Sequence, residues 1–594
     1  MYMSRISNNF RWIITDVFFV IYFLYFIVFN RYHLIYLEQI QLFRFNCNYF
    51  SDFLLRPGGL SEFIGAFLTQ FYLFPFAGAS IITLAGIALY AITRYIFHKH
   101  QFAGVIWTLL PAVLLASLHS YHLYTLAHCI GLIVSLGFFA IIISVENISY
   151  RFLLVVIGWP LLYIFTGGYA IYAILLCMLN ELLFRRGRLH VIILGIYLFL
   201  ALFVPYLASH FIFYIKAGAE WTLLIPLFLG SPYRYILIIL IAYIPFMLLV
   251  IKTLLIYTKG SDISSAWKWK SILAGTVILV NLTFVIIRLT YDRKTEILLG
   301  IDNCVQKADW DGVLKLSSES PVTNRMVIHF TNLALFKSGR MGDQLFHYRQ
   351  GGSTGLWLDW SQDWIAAFFG GEIYYHLAYN SEAYRWAFEA MVAKGPNPRS
   401  LKRLVITSLI DNNIALAKKY LEVLDQSLFY RKWAQHYLTF VNHPESLRED
   451  KEISEKRYFE IHSDFISSDN FGVKLPQLLA DHPDNRMVFE YYMASLLLDK
   501  NLGEFVANVY RLKELGYTSV PVHYEEAMLA YMSMTGKNIV PEGYTISLAS
   551  RNRLSDYVST INSFENNMKM AARSMYGKFG KTYWYYLEFI NNQP

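Results

Sequence analysis

The chain has 594 residues, of which 56% are hydrophobic, 17% aromatic and only 16% charged, and its mean hydropathy is +0.37. Soluble globular chains are about one-quarter charged, so this composition excludes a wholly soluble protein. The net charge of +8 does not indicate nucleic-acid binding, because no basic run is interleaved with aromatic residues.

Long apolar segments follow one another from Arg11 to Arg288, whereas residues 293–594 have a water-soluble composition with helical periodicity. An apolar helix of about 20 residues crosses the hydrocarbon core, where lipid cannot satisfy backbone polar groups. The pattern predicts an all-α protein with a polytopic membrane domain over 1–292 and a soluble domain over 293–594. We predict nine spans, at residues 12–30, 76–97, 103–118, 123–145, 151–166, 168–184, 189–210, 234–257 and 270–290.

The distribution of Lys and Arg predicts the orientation. Arg5 and Arg11 precede the first span, and the loops on that side carry more basic residues than the opposite loops, which places the N-terminus in the cytoplasm. Nine spans then put the C-terminal domain on the outer face, the periplasm if the membrane is a Gram-negative inner membrane. Phe29–Tyr32 offers no small-residue cleavage site, so the first span is predicted to be an uncleaved anchor. Gly167-Gly168 is predicted to turn between two short spans; the alternative is one long kinked helix.

The four cysteines do not indicate a metal site. Cys129 and Cys177 fall inside spans and are typical packing residues. Cys47 and Cys304 would face the same compartment, where they could pair, although nothing in their spacing requires a disulfide. No Cys/His cluster has zinc spacing.

The soluble half shows an internal repeat. Ala383 precedes Ala417 by 34 residues, as Ala390 precedes Leu424, and this is the tetratricopeptide period. Residues 332–342 and 490–510 resemble further copies of the same helix pair. The repeat predicts an α-solenoid of tetratricopeptide-like helix pairs.

Such a solenoid usually binds proteins or peptides along one face, here envelope protein partners; the alternative is that it only packs on the membrane domain. The aromatic segment Leu356–Trp364 suits either sugar stacking or, as we prefer, the membrane interface.

The first outer loop, residues 31–75, is long and rich in charged and aromatic residues. Leu60, Phe63, Ile64, Phe67, Leu68 and Phe71 follow helical spacing. This spacing predicts an amphipathic helix over about 60–72 that lies in the interface, after a turn at Pro57-Gly58-Gly59.

A cytoplasmic N-terminus, one span, and an outer loop with an early carboxylate and a short interfacial helix resemble membrane glycosyltransferases of the C-type fold. That resemblance implies a polyprenyl-phosphate-linked sugar as donor, and an acidic residue after the first span that acts as general base or binds a divalent metal. Glu38 and, more remotely, Asp52 stand in comparable positions, but the paired acids usual in that family are absent. Leu37–Phe43, Arg56–Glu62 and Ala387–Pro398 are also similar to multi-pass Bacteroidota membrane proteins of unknown function, over most of the chain.

The residues themselves suggest roles for such a transfer. Glu38 is the candidate base, against the alternative of a solvated loop carboxylate, and cations are needed to neutralise a departing phosphate. The candidate substrate-binding cations are Arg44, Arg56, Lys216 and Arg234, whose alternatives are lipid headgroup contacts or ordinary loop charges.

Other polar residues are weaker candidates. Asp52 precedes turn residues and is more typical of a local hydrogen-bonding or capping residue. His119 and His122 lie three residues apart in a short outer loop and could bind phosphate or metal with Glu38; interfacial hydrogen bonding is the alternative. His128 and Asp16 fall within spans, where ionisable groups usually face a cavity or a partner; the alternative for Asp16, near the cytoplasmic end of the first span, is that it reaches water. Tyr169 and Glu220, on the outer side, are noted only as pocket lining.

The leading hypothesis is an integral membrane transferase that moves a sugar or oligosaccharide from a polyprenyl-phosphate carrier to an envelope acceptor. The alternative is a non-enzymatic scaffold that anchors a helical-repeat domain for envelope assembly. A transporter is third, because the spans show no evident internal duplication.

Overall fold

The computed structural model of the chain describes residues 2–102, 104–185, 187–213, 215–216, 218–257, 265–320, 324–359, 364–461, 471–564 and 567–590. Within these ranges the protein is all-α and contains no strand. It divides into two compact units: unit 1 is Met1–Glu296 with Gln426–Leu428, and unit 2 is Ile297–Asp425 with Phe429–Pro594.

Unit 1 consists of apolar helices and of three short helices between the first two of them. Its helices are α1 (Tyr2–Phe29), α2 (Arg31–Gln39), α3 (Cys47–Leu54), α4 (Gly59–Thr69), α5 (Pro75–Lys99), α6 (Val105–His119), α7 (Leu126–Ser144), α8 (Ile148–Thr166), α9 (Gly168–Phe184), α10 (Arg188–Leu207), α11 (Tyr233–Tyr257) and α12 (Ser265–Thr290). A 3₁₀ turn at Gln70–Leu73 extends α4, and a π turn at Ala208–Ile212 ends α10. The next helix, α13 (Arg293–Gln306), begins in unit 1 and continues into unit 2.

Each of the nine predicted spans coincides with one apolar helix, but not all of these helices are long enough to cross a bilayer. Six candidate spans are found among the described residues: Trp12–Phe29, Pro75–Lys99, Leu126–Ser144, Ile148–Thr166, Arg188–Ile212 and Tyr233–Tyr257. A seventh is added if the helices Ala274–Thr290 and Arg293–Gln306, which are bent by 57° at the break between them, form one span. Ile106–His119 and Gly168–Phe184 are apolar but shorter. The chain thus has the helices of a multi-pass membrane protein, and nine crossings stay a prediction.

The glycine pair at 167–168 is a turn between two helices, as predicted. Gly167 has a φ of +57°, which favours glycine, and α9 starts at the next residue. The Gly168 N–H donates to the Leu223 carbonyl at 2.7 Å, and a Cβ on Gly168 would lie 2.8 Å from the Trp221 carbonyl oxygen. The turn is therefore closely covered by the segment that precedes α11.

The loop predicted over 31–75 is mostly helical. The stretch predicted to be an amphipathic helix is helical, as α4 and its 3₁₀ extension; its place at the membrane interface stays a prediction. Gly58, with φ +83°, is the residue just before α4 and donates its N–H to the Ile164 carbonyl at 2.9 Å. A Cβ on Gly65 would lie 2.7 Å from the backbone nitrogen of Ala127, so α4 packs against the backbone of α7 and not only against lipid.

Unit 2 is built from short helices in sequence. After α13 they are α14 (Trp310–Glu319), α15 (Arg325–Lys337), α16 (Met341–Gln344), α17 (Trp364–Gly370), α18 (Glu372–His376), α19 (Asn380–Lys394), α20 (Pro398–Ile410), α21 (Ile414–Asp425), α22 (Arg431–Asn442), α23 (Lys451–Tyr458), α24 (Phe471–Asp481), α25 (Arg486–Leu498), α26 (Leu502–Asn508), α27 (Val522–Thr535), α28 (Leu548–Asn562), α29 (Met568–Phe579) and α30 (Tyr583–Phe589). The 3₁₀ turns lie at Leu345–His347, Ser353–Leu356, Pro444–Arg448 and Val509–Leu512.

Consecutive helices from α19 to α22 each pack on the next. Ala383 in α19 and Ala417 in α21, which are 34 residues apart in the sequence, are both fully buried. The small side chains therefore lie where neighbouring helices approach closely, as the repeat requires. A tetratricopeptide-like solenoid across all of unit 2 stays a prediction.

Two side-chain expectations can be compared with the fold. Cys47 is exposed, Cys304 is buried, and no disulfide joins them in the described structure. In the aromatic segment, Trp357 is buried at 6% exposure, whereas residues 360–363 lie outside the described residues.

Candidate functional site

The helix α2 follows the first candidate span directly and is buried along most of its length. Its six consecutive residues His33–Glu38 are all buried, and it packs on α5 and on the Gln70–Leu73 turn. An amphipathic surface helix buries only one stripe. Enclosure on most sides therefore removes the polar side chains of His33 and Glu38 from water together with their apolar neighbours.

Glu38 is 2% exposed, and the side-chain amide of Gln39 donates to its Oε2 at 2.5 Å. Burial of a carboxylate is costly unless hydrogen bonds or charges compensate it. Glu38 is thus a sheltered carboxylate and not the solvated loop acid that was its alternative.

The N-terminus of α2 is capped by a residue distant in sequence. Asn30 precedes the helix but makes no side-chain cap. Instead, Glu296 of α13 accepts the Tyr32 N–H at 2.8 Å and the His33 N–H at 3.2 Å. A carboxylate at this position satisfies two orphan donors and complements the positive end of the helix dipole.

A polar cavity of about 90 Å³ lies beside this cap. It is smaller than the roughly 300–1,000 Å³ of ordinary ligand pockets, so it does not enclose a sugar or a lipid by itself. It is lined by Asn30, His33, Ser120, Tyr121, His122, Tyr233, Asp292, Thr295 and Glu296.

Three histidines surround or approach this cavity. Burial, followed by the nearby His122, lowers the pKa of His33 to about 3, so its imidazole is neutral at physiological pH. His119 is 1% exposed and lies between the rings of Phe26 and Tyr124. The Nε2 atoms of His33 and His119 lack a hydrogen-bond partner among the described residues. The structure therefore brings the candidate His122 close to His33. His33 was not a candidate from the sequence.

Two of the predicted cations lie near the same ring: burial raises the pKa of Tyr49, and Arg44 and Arg56 each lower it. The Arg44 guanidinium lies 4.7 Å above the Tyr49 ring. Arg56, with 53% side-chain exposure, forms an ion pair with Glu62. Lys216 and Arg234 are exposed, and Arg234 donates to the Leu227 carbonyl at 3.2 Å.

Asp52 is exposed inside α3 and does not cap that helix. Asn46 does so instead, because its side chain accepts the Tyr49 N–H at 2.6 Å. Asp52 therefore does not cap α3, and a local hydrogen-bonding role for it stays a prediction.

The remaining noted residues occupy different parts of unit 1. His128 Nδ1 lies 2.7 Å from the Leu224 carbonyl oxygen. Tyr169 and Glu220 are buried, whereas Asp16 is exposed along a groove between α1 and α5. None of these four lines the cavity beside α2.

Sequence reasoning also missed an ion cluster within unit 1. Arg151 donates through Nε to Glu181 at 2.9 Å, and His190 Nδ1 lies 2.7 Å from the other oxygen of Glu181. Arg151 and Glu181 are each 2% exposed. Glu181 lies 30 residues after Arg151, on the next helix, so no local pattern in the sequence indicates the pair.

Among the described residues no group of three or more His, Cys, Asp or Glu side chains is arranged to hold a metal ion. Glu38 is not among the residues that line the cavity. The structure thus offers a sheltered carboxylate on α2 and, apart from it, a hydrogen-bonding cavity with a neutral imidazole.

Comparison with known proteins assigns the chain to a family. A model described as a family of unknown function, DUF6057, matches residues 7–590, and the chain belongs to this family. No curated protein matches the chain. No solved structure matches it either.

Proposed function

We propose that this family member is an integral membrane transferase that moves a sugar or oligosaccharide from a polyprenyl-phosphate carrier to an envelope acceptor. The observation that carries the proposal is the buried carboxylate of Glu38 on the short helix that follows the first candidate span. In this proposal the chain crosses the inner membrane nine times, with a cytoplasmic N-terminus and unit 2 in the periplasm.

The role of Glu38 is that of the general base. Glycosyl transfer needs a carboxylate to take the proton of the acceptor hydroxyl. A carboxylate at 2% exposure is shielded from water, so an acceptor hydroxyl that reaches it does not compete with solvent for the carboxylate. The Gln39 amide orients the carboxylate through its 2.5 Å hydrogen bond to Oε2.

The lipid phosphate needs positive charge as it leaves. We assign this role to Arg44 and Arg56 of the outer loop, with Lys216 from the segment before α11 and Arg234 from the first turn of α11 as further candidates. Arginine suits phosphate because its fork contacts two oxygens at once. Arg56 would exchange Glu62 for the phosphate, and its 53% side-chain exposure leaves it accessible. A divalent metal is the alternative that the C-type resemblance implies.

Unit 2 would recognise the acceptor. Its repeated helix pairs around Ala383 and Ala417 support a tetratricopeptide-like solenoid, and such solenoids bind partners along one face. The same observation favours the second candidate function, a non-enzymatic scaffold, in which loss of unit 2 abolishes function and Glu38 is dispensable.

The test is a transfer assay with the full chain in proteoliposomes. Purified wild type and Glu38→Gln are incubated with a lipid extract and an envelope extract of the source organism, which supply the donor and the acceptor. Free polyprenyl phosphate and polyprenyl diphosphate are measured by mass spectrometry. One of these two lipids is released whichever sugar is transferred, so the donor sugar need not be known. Wild type is expected to release this lipid, and Glu38→Gln to release at least about a hundredfold less, the typical contribution of a general base.

Glu146→Gln is the matched control, because Glu146 is an exposed carboxylate in the α7–α8 connection and has no proposed role. It is expected to match wild type. Equal product from wild type and Glu38→Gln would remove Glu38 from the mechanism, and no product from any variant would favour the scaffold.

A further inference from the structure

The short helix α3 of unit 1 packs on protein along one side only. None of its eight residues is buried. Tyr49 and Phe53 are half-buried, and their rings pack on Phe63 of α4 at centroid distances of 6.4 and 5.6 Å. A helix of this length is not stable alone in water, so α3 depends on contacts with its surroundings.

The exposed residues of α3 form two opposite arcs. The polar arc consists of Asn48, Ser51 and Asp52. On the other side, Phe50 and Leu54 lie four residues apart and so on one face; they are 39% and 41% exposed, and Leu55, directly after the helix, is 68% exposed. We call these three residues the apolar patch. A helix that exposes a polar arc and an apolar arc together suits the boundary between water and lipid, since each arc needs a different solvent.

The contacts of α4 show that α3 lies level with the ends of two candidate spans. A Cβ on Gly65 of α4 would touch the backbone of Ala127, the second residue of α7, and the Gly58 N–H just before α4 donates to the Ile164 carbonyl near the end of α8. The start of α7 and the end of α8 lie on the same side of a bilayer, because the two helices follow one another and run in opposite directions. Since α3 packs on α4, it lies where the hydrocarbon of the bilayer ends.

Charged groups flank the apolar patch and none lies within it. The Arg44 guanidinium, before α3, lies 4.7 Å above the Tyr49 ring. Arg56 directly follows Leu55 and forms an ion pair with Glu62. Phospholipid headgroups carry a phosphate and often an ammonium group, so a rim with charges of both signs is complementary to them, while long arginine side chains reach outward from apolar surroundings.

We propose that α3 is an interfacial helix, whose apolar patch enters the hydrocarbon boundary of one phospholipid leaflet while its polar arc stays in water. The leaflet would hold Arg44 and Arg56 at the depth of lipid phosphates. Gln426 meets the chain before α3, where its carbonyl accepts the Phe45 N–H at 2.8 Å, but the patch at the other end of the helix stays exposed among the described residues. The inference goes beyond the proposed transfer reaction, because a membrane-anchored scaffold would use the same helix.

The cysteines of the chain permit a test by spin labelling. Cys47 is exposed, whereas Cys129, Cys177 and Cys304 are buried. In a Cys47→Ser background, a single exposed cysteine can therefore be labelled with a nitroxide, and the background protein alone measures any residual labelling. The full chain is reconstituted in nanodiscs of phosphatidylethanolamine and phosphatidylglycerol.

Four variants in this background sample the two arcs of α3. They are Phe50→Cys and Leu54→Cys in the apolar patch, and Ser51→Cys and Asp52→Cys in the polar arc. Electron paramagnetic resonance compares collisions of each label with oxygen, which concentrates in lipid, and with a water-soluble nickel chelate. The ratio of oxygen to chelate collisions should be high at Phe50→Cys and Leu54→Cys and should fall at Ser51→Cys and Asp52→Cys. Ser51→Cys is the matched control for Phe50→Cys, since the two positions are adjacent on the same helix.

Equal chelate collisions at all four positions would overturn the proposal, because α3 would then lie wholly in water. Shielding of the Phe50→Cys and Leu54→Cys labels from both reagents would also overturn it, because a protein surface would then cover the apolar patch. Neither readout requires transfer activity, so a failure of the interfacial helix and a failure of the proposed function can be told apart.

Discussion

Glu372 in unit 2 should make a large, pH-dependent contribution to stability. Its side chain is 8% exposed and accepts hydrogen bonds from Arg403 at 2.7 Å, Gln306 at 3.1 Å and Arg399 at 3.4 Å. Burial alone would raise the pKa of Glu372, but Arg403 and Arg399 together outweigh it and hold the pKa at about 2. The ion network therefore favours the ionised carboxylate in the folded state.

The sign of the pH dependence follows from this depressed pKa. An unfolded Glu titrates near about 4.3, so the folded protein binds fewer protons between that pH and pH 2. The stabilisation is fully present above the unfolded pKa and is lost as the pH falls through the folded pKa. The difference between an unfolded pKa near about 4.3 and the folded pKa of about 2 corresponds to about 3 kcal/mol. This is the lower end of the cost of removing one partner from a buried ion pair.

Glu372→Gln should therefore destabilise unit 2 by about 3 kcal/mol at pH 7, and the difference from wild type should shrink as the pH approaches 2. The assay is thermal unfolding by intrinsic fluorescence at a series of pH values, with hydrogen exchange of α18 and α20 to locate the effect. Glu422→Gln is the control, because Glu422 is 58% exposed and lies 4.0 Å from Lys418; it should change stability by less than about 0.5 kcal/mol. A difference between Glu372→Gln and wild type that stays constant from pH 7 to pH 3 would refute the reasoning.

Two further predictions concern unit 1. Gly65→Ala should lower the unfolding midpoint in nanodiscs, since the new Cβ would lie 2.7 Å from the Ala127 nitrogen and overpacking costs about 1–3 kcal/mol. Gly137→Ala is the control and should leave the midpoint unchanged, because its Cβ would meet its nearest atom at 3.8 Å. Equal midpoints for the two variants would contradict the close packing of α4 on α7. Glu181→Gln should lower the free energy of unfolding by about 3–5 kcal/mol because it leaves the buried Arg151 unpaired. The double variant Glu181→Leu with Arg151→Leu should recover much of that loss. A double variant no more stable than Glu181→Gln would contradict the importance of the ion pair.

The membrane helices could be located from the sequence, because apolar density and helix-breaking residues are local signals. The turn at Gly167 is one example: two adjacent glycines between apolar runs suggested it, and the φ of +57° explains it. The number of crossings is harder to infer, since α6 and α9 are apolar but shorter than a span.

The outer loop was harder to interpret. α4 was predicted because its apolar residues repeat with the helical period. α2 was not predicted, because its six consecutive buried residues include polar as well as apolar side chains and so show no amphipathic pattern. α3 was also missed, although Asn46 is a good N-cap residue.

The site depends mainly on contacts between residues distant in sequence. Glu38 was identified by its position after the first span. The cap of α2 by Glu296 joins residues 264 positions apart, and no local pattern reports such a contact. The same holds for the pairing of His33 with His122, since only His122 belongs to the spaced pair that the sequence displayed.

The central claim is that Glu38 performs glycosyl transfer in the cell. The most direct measurement is mass spectrometry of envelope glycans and glycoproteins from a deletion strain complemented with wild type, Glu38→Gln or Glu146→Gln, at matched protein levels in the membrane. The account predicts a glycoform that is missing in the deletion strain and is restored by wild type and Glu146→Gln but not by Glu38→Gln. Restoration by Glu38→Gln, or unchanged glycans in every strain, would contradict it.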